Sequence, residues 1–281
     1  MSRRKLFCEH GKICYMISLK KEYLIRDIKD ITARLTGERF AAYISEQTLP
    51  VIVKGHFSAV ARRLEGVDMQ LQENKAENLR IAAELIDGLI IRQGETFSFW
   101  KLVGQPTAEK GYLEGLVISG NRLGSGTGGG LCQLANLIHW LVLNSPLKVT
   151  ELHHHSDALF PDDRRRVPFG TGTSVFYKNV DYRFKNTTDR DVQLKVWLDN
   201  DTLFGELRAG KPFPERYRIT EEGHCFVREE DGFYRCSRIY RECISRESGK
   251  LISRELILKN HSRVMYDESL IPREEISDVV L

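Results

Sequence analysis

The segment Gly124-Ser125-Gly126-Thr127-Gly128-Gly129-Gly130-Leu131-Cys132-Gln133 leads directly into apolar residues at helical spacing. Five of the seven residues from 124 to 130 are glycine. Glycine adopts backbone conformations closed to other residues, so neighbouring amides can converge on one anion. Cys132 stands at the expected start of the following helix, where the helix dipole and free N–H groups favour a thiolate. The segment therefore predicts a glycine-rich loop followed by a helix that carries a reactive cysteine.

Residues 147–155 are predicted to form a strand shortly after this helix. Alternate residues of a strand share one face, so Glu151, His153 and His155 are expected to point the same way. Because the connection is short, the strand is expected to run back antiparallel to the helix and to pack across it. This face is therefore expected to approach Cys132.

These residues suit thiol catalysis, which needs a nucleophile of lowered pKa, a base, and donors for the oxyanion. Cys132 would be the nucleophile, and His155 or His153 would be the base. Asp157 or Glu151 would hold that base in one tautomer, as in other cysteine–histidine–acid systems. The oxyanion donors would come from Gly128, Gly129, Gly130 and Gln133.

Two other interpretations use the same part of the chain. In the first, His153 and His155 join Cys132 or Asp157 in an open zinc site. In the second, the glycine-rich backbone binds the terminal carboxylate of a peptide without catalysis. Our preferred interpretation involves no metal and no organic cofactor.

The composition excludes several classes of protein. The chain has 281 residues, 41% of them hydrophobic and 29% charged, as in ordinary globular proteins. Its formal net charge of +3 is too small to indicate a nucleic-acid partner. No segment reaches the roughly 18 apolar residues that a transmembrane helix needs. The start is basic like that of a signal peptide, but Glu9, His10 and Lys12 interrupt any apolar region. The sequence as given therefore predicts a cytoplasmic protein, which a different translation start would change.

The cysteines give no sign of a structural zinc site or a disulfide framework. None of them forms a CxxC pair, and a chain without a leader should remain reduced. The six stand at positions 8, 14, 132, 225, 236 and 243.

The periodicities predict an α+β fold in three segments. Residues 1–92 are mainly helical, residues 93–200 form a mixed core with the glycine-rich loop and the helix of Cys132, and residues 201–281 form an antiparallel β region. The last segment is either a separate domain or continuous with the core.

Local signals place individual elements within these segments. Amphipathic helices are expected at 22–35 and 74–91, and a strand at 173–177. Turn residues predict hairpin tips at 229–232 and 248–249.

Several motifs, taken in this order, resemble the VanW family. The resemblance covers about residues 70–200 by motif. The motifs are Gly94–Phe99, Gly111-Tyr112, Gly128–Gln133, Glu151 with His153 and His155, Pro168-Phe169-Gly170, and Asp181–Asn186.

The resemblance implies an accessory protein of glycopeptide (vancomycin) resistance, with peptidoglycan or its precursors as the substrate class. It implies no settled reaction, so three alternatives stay open: a cysteine-dependent hydrolase or acyltransferase, a binding module for precursor peptides, or a metal-dependent hydrolase. In broader members of the family an aspartate follows the later Pro-x-Gly. Here Thr171-Gly172-Thr173 follows Gly170. If that aspartate orients a catalytic histidine, Asp157 would have to replace it.

Overall fold

The glycine-rich segment divides between a strand and a turn, and is not one loop. The computed structural model describes residues 7–60, 69–119, 122–154, 157, 158, 161 and 167–277. In it, Arg122–Thr127 pairs antiparallel with Glu114–Ser119. Only residues 128–131 form the turn into the helix Cys132–Leu143. The expected loop is therefore confined to its last four residues, because the first part completes a hairpin.

The described part of the chain contains four α-helices, four 3-10 turns and sixteen strands. The helices are α1 (Lys12–Leu35), α2 (Met69–Glu84), α3 (Phe99–Val103) and α4 (Cys132–Leu143). The 3-10 turns are Phe7–His10, Ala108–Lys110, Glu268–Leu270 and Arg273–Glu275. The strands are β1 (Arg39–Phe40), β2 (Tyr43–Ile44), β3 (Val51–Ala59), β4 (Leu89–Ile91), β5 (Glu95–Ser98), β6 (Glu114–Ser119), β7 (Arg122–Thr127), β8 (Lys148–Glu151), β9 (Asp157–Ala158), β10 (Arg183–Lys185), β11 (Val192–Asp199), β12 (Thr202–Ala209), β13 (Glu215–Glu229), β14 (Gly232–Ser245), β15 (Leu251–Val264) and β16 (Ile276–Ser277).

The described strands form three larger sheets and one separate hairpin. The orders are β1-β5-β10-β8, β2-β4-β11-β12-β3 and β16-β13-β14-β15-β9, with β6-β7 apart. This arrangement confirms the predicted α+β class. Strands from all three predicted segments meet in the second sheet, while the boundaries at 92 and 200 stay predictions.

The main core lies between α2, α4 and the second sheet, and it includes rings from the first sheet. Leu134, Ile138 and Leu141 of α4 are fully buried, as their helical spacing predicts. The helix packs on β12 at Gly205, where an added Cβ would lie 2.8 Å from Cδ2 of Leu137. The glycine therefore allows α4 to approach the sheet closely.

Two helices in the first half of the chain have different bounds in the structure from those that the sequence predicts. The helix expected at 22–35 begins earlier, at Lys12. The helix expected at 74–91 ends at Glu84, and its last residues form β4. Gly88 has φ +80°, a left-handed conformation that ends a helix, and its amide donates to Leu194 O.

In the second half, both hairpin tips are confirmed and one strand is wrong. β13 and β14 close at Glu229–Gly232, and Gly249 N donates to Ser245 O after β14. Residues 173–177 form no strand. They contribute only the bridge between Phe176 and Val180, because the chain turns back at Lys178 with φ +54°.

α1 joins the rest of the protein through charged side chains. Arg26 donates two hydrogen bonds to the Glu151 carboxylate, at 2.7 and 2.5 Å. Lys178 contacts Asp27 at 2.7 Å. Asp30 contacts both Lys101 at 2.6 Å and Arg183 at 2.7 Å. None of the α1 residues is buried, so these ion pairs, with the ring contact between Tyr23 and Tyr177, hold the helix.

The backbones of β6 and the turn before α4 touch at Gly115 and Gly129. A Cβ added to Gly129 would lie 2.1 Å from the carbonyl carbon of Gly115. Asn78, which is fully buried, donates to Gly129 O and Leu113 O, both at 3.0 Å. This contact fixes the position of the first turn of α4.

We predict that Gly129→Ala lowers the free energy of unfolding by about 3 kcal/mol, because its methyl group overlaps main-chain atoms that cannot move aside. Gly124→Ala is the matched control, since the nearest atom to its Cβ is 4.0 Å away. It should change stability by less than about 0.5 kcal/mol. Urea unfolding measures both, and equal stability of the two variants would contradict the contact.

We also predict that the stability contributed by Glu151 depends on pH. Burial alone would raise the pKa of this carboxyl, but Arg26, His153 and Arg183 hold it below its ordinary value of 4.5. The charged form therefore stabilises the fold above pH 4.5, and this contribution is lost as the pH falls through the lowered pKa. Glu151→Gln should cost about 2 kcal/mol at pH 7, and less below pH 4.5.

Urea unfolding at pH 7, 5 and 4 tests this dependence. Glu230→Gln, at an exposed hairpin tip, should have little effect at any of these pH values. A Glu151→Gln deficit of the same size at pH 4 as at pH 7 would show that the carboxylate charge is not what stabilises the fold.

Candidate functional site

Cys132 is the first residue of α4, but its environment does not activate the thiol. The residue is half-buried against the main core, and its Sγ donates to Val175 O at 3.7 Å. Burial raises the pKa of the Cys132 thiol and outweighs the opposing effects of the backbone hydrogen bonds of Val175 and Cys132 and of the Lys75 charge. The expectation of a lowered pKa is therefore wrong, because the sulfur is buried.

The predicted base does not contact this sulfur within the described residues. His153 O accepts hydrogen bonds from Ser174 N at 2.7 Å and from the Thr173 hydroxyl at 3.5 Å. The His153 backbone therefore runs beside the segment that contains Val175. No imidazole in the described ranges is hydrogen-bonded to Cys132 Sγ. His155 lies outside the described residues, so its role as a base stays a prediction.

Glu151 and His153 come together as the strand alternation predicts. Strand β8 ends at Glu151, earlier than expected, yet His153 Nε2 still lies 3.2 Å from Glu151 Oε1. The same carboxylate binds Arg26 and accepts a hydrogen bond from Asp181 N at 3.2 Å. Glu151 is thus an acid placed to orient an imidazole. The alternative acid, Asp157, lies in β9 beside β15.

The glycine amides are less available to an anion than the sequence suggested. Gly128 N donates to Leu113 O and Gly129 N donates to Gly126 O, both at 3.0 Å. The Gln133 amide donates to Gly130 O at 3.0 Å.

The Gln133 side chain also has partners within the chain, because it donates to Ser58 Oγ at 2.8 Å and to Ala59 O at 2.9 Å. In this structure the donors of Gly128, Gly129 and Gln133 have partners within the chain, and their role toward an oxyanion stays a prediction.

Three amides at the start of α4 lack a main-chain partner, and one of them, the Cys132 amide, interacts with the sulfur of its own residue. Within the described chain, the N–H groups of Gly130, Leu131 and Cys132 donate to no main-chain acceptor. Lys75 of α2 lies directly beside this turn, since a Cβ on Gly130 would be 2.4 Å from Lys75 Cγ. Its ammonium donates to Val60 O at 3.0 Å and acts electrostatically on Cys132. The start of α4 therefore combines amide donors with an electrostatic contribution from Lys75.

Sequence reasoning missed several residues that complete this region. Lys75 and Arg26 lie on helices whose charged residues gave no signal of their own. Arg183 stands within a motif that the resemblance had marked, but its partners could not be read from the motif. It contacts Asp181 at 2.6 Å and Glu151 at 3.5 Å.

His139 is a core residue and not a second candidate base. It is 1% exposed, and its Nδ1 lies 3.1 Å from the Tyr182 hydroxyl. Burial lowers its pKa to about 3. The ring is therefore neutral at physiological pH.

The described ranges contain neither a cluster of metal donors nor a helix suited to span a membrane. Nowhere there do three His, Cys, Asp or Glu side chains come together so that they could hold a metal ion. The zinc hypothesis also involves His155, which lies outside these ranges. None of the described helices combines the length and apolar character needed to cross a membrane.

Known proteins match the sequence over most of the chain, including the candidate site. The sequence model of the family described as "VanW like protein" matches residues 74–208. The vancomycin B-type resistance protein VanW of Enterococcus faecalis (strain ATCC 700802 / V583) is 32% identical over 233 residues, which are 83% of this chain and 85% of that protein.

A second relative is the uncharacterized protein YoaR of Bacillus subtilis (strain 168). It is 28% identical over 124 residues, or 44% of this chain and 39% of that protein. No solved structure matches the chain. Since the identity to VanW extends over most of both chains, and the family match contains α4, Glu151 and His153, the chain belongs to the VanW family.

Proposed function

We propose that this chain binds the carboxylate end of peptidoglycan-related peptides as an accessory protein of vancomycin resistance. The observation that carries the proposal is the start of α4, where the amides of Gly130, Leu131 and Cys132 face no main-chain acceptor and Lys75 adds a positive charge. The name of the enterococcal relative supports the resistance context. Precursor peptides that end in D-alanine or D-lactate carry the carboxylate that this arrangement suits.

The electrostatics of α4 favour an anion at this end. All helix amides point their dipoles toward the N-terminus, which acts as a partial positive charge of about half a unit. Carboxylates and phosphates bind at such ends through free N–H groups. α4 carries no acidic residue in its first turn, so no side chain of that turn neutralises this charge.

Thiol catalysis is the second candidate, and one observation favours it. The hydrogen bond between Glu151 and His153 provides the acid–imidazole half of a cysteine–histidine–acid system. In that case Cys132 would attack an amide or ester carbonyl, and His153 or His155 would accept and return the proton. The raised pKa of Cys132 places this candidate behind binding.

We also propose a cytoplasmic location, following the sequence expectation. There the available ligands are precursors and not finished cell wall. The proposal therefore concerns short precursor peptides with a free terminal carboxylate.

We predict that the chain binds short peptides ending in D-Ala-D-Ala or D-Ala-D-lactate. Calorimetry should detect this binding, and capping the ligand as a carboxamide should remove it. Lys75→Met should weaken binding roughly tenfold, because one charge-assisted contact is lost. In ¹⁵N-edited NMR, the amides of Gly130, Leu131 and Cys132 should show the largest shifts.

Two variants serve as controls for this experiment. Lys148→Met removes an exposed lysine on β8 and should leave binding unchanged. Cys132→Ala keeps the amide and should bind without turnover. Equal affinity for the carboxylate and the carboxamide would refute the binding proposal, and turnover that disappears in Cys132→Ala would establish the catalytic candidate.

We predict further that Cys132 reacts slowly with iodoacetamide. Because burial raises its pKa, the midpoint of alkylation against pH should lie above the value near 8.5 of a free thiol. Mass spectrometry of the Cys132 peptide measures the rate, with N-acetylcysteine in the same tube as the standard. A midpoint below pH 7 would instead reveal an activated thiolate.

A further inference from the structure

α1 presents an apolar stripe on the side that faces away from the protein. Six aliphatic side chains are more than half exposed and fall within an arc of about 60° at 100° per residue. We call these residues the α1 stripe: Ile13 (77% exposed), Ile17 (53%), Leu24 (61%), Ile28 (54%), Ile31 (58%) and Leu35 (84%).

The opposite side of α1 is the one that docks. Tyr23 packs edge-on against Tyr177 with ring centroids 5.7 Å apart. Arg26, Asp27 and Asp30 make the ion pairs described above. A surface helix ordinarily buries its apolar side and exposes its charges. Here the apolar side is exposed and the charged side is docked, so no described part of the chain covers the α1 stripe.

The charged side chains of α1 also differ between its docked side and its exposed side. Asp27 and Asp30 are paired with lysine and arginine of the protein body, and Glu22 is half-buried beside Lys21. The acidic side chains of Asp27 and Glu22 are 47% and 41% exposed, but each lies beside a lysine. The more exposed charged residues of α1 are basic: Lys12, Lys20, Lys21, Lys29 and Arg34. Lys20 and Lys21 flank the α1 stripe on its two sides.

We propose that the α1 stripe is a docking surface for an anionic lipid bilayer, with α1 lying in the plane of the interface. The helix is 24 residues long, or about 36 Å. Its aliphatic side chains would enter the boundary between headgroups and acyl chains, and the flanking lysines would meet anionic headgroups. The inference is independent of the proposed peptide binding, which uses another surface.

Charge complementarity favours a bilayer over a second copy of this chain. Two copies packed through the α1 stripe would bring the same lysines together, and like charges at such a contact oppose association. An anionic surface attracts each of these lysines instead. The net positive exposed side of α1 therefore selects a negative partner.

Vesicle co-sedimentation of the full chain tests the proposal. The chain should bind vesicles of phosphatidylcholine with 30% phosphatidylglycerol at least tenfold more tightly than pure phosphatidylcholine vesicles. Leu24→Gln/Ile31→Gln should reduce this binding at least tenfold, because two inserted side chains are lost. Lys20→Gln/Lys21→Gln should also weaken it about tenfold, and raised salt should act in the same direction.

Leu251→Gln/Ile252→Gln is the matched control, because these β15 residues are also more than half exposed but lie in the C-terminal sheet. It should bind as the parent does. Binding that is equal for neutral and anionic vesicles, or unaffected by Leu24→Gln/Ile31→Gln, would overturn the proposal. So would a lipid-free dimer, seen by analytical ultracentrifugation, that Leu24→Gln/Ile31→Gln dissociates, since the α1 stripe would then bind a second copy.

Discussion

The ion pair between Arg26 and Glu151 is the interaction on which the arrangement of this protein depends. Both side chains are largely shielded from water, with 12% and 19% of their surface exposed. Charges in such a place are tolerated only when they are paired and hydrogen-bonded. The pair therefore fixes which side of α1 meets the protein. The contacts of Asp27 and Asp30 extend the same constraint along the helix.

The same carboxylate links this helix to the candidate site. Glu151 accepts from Arg26 on one side and lies against His153 on the other. The first turn of α4 is fixed separately, by the backbone contact of Gly115 with Gly129 and by Asn78. One network thus orients an imidazole, while the other presents amide donors beside Lys75. The thiol is buried, which is why we propose an anion-binding role for the site before a nucleophile.

The sequence predicted those features that depend on neighbouring residues. The spacing of Leu134, Ile138 and Leu141 placed the buried side of α4, and strand alternation brought Glu151 and His153 together. Turn residues located both hairpin tips in the C-terminal sheet.

Features that depend on contacts between distant parts of the chain could not be predicted from the sequence. Arg26 and Glu151 are 125 residues apart, and neither has a local pattern that indicates the other. The raised pKa of Cys132 comes from burial of its thiol in the fold, which local spacing does not reveal. The amphipathic pattern of α1 predicted a helix correctly, but amphipathicity alone implies that the apolar side is buried. Long-range ion pairs reversed that orientation.

Carbene footprinting of the dilute, lipid-free protein, resolved to single residues by mass spectrometry, tests the orientation of α1 most directly. If charged contacts dock this helix, Leu24, Ile28 and Ile31 should be labelled heavily, and Tyr23 and Arg26 should be protected. Arg26→Met should then expose Tyr23 to the reagent. Protection of Leu24, Ile28 and Ile31 with strong labelling of Tyr23 would contradict the account, because the helix would then be docked through its apolar side.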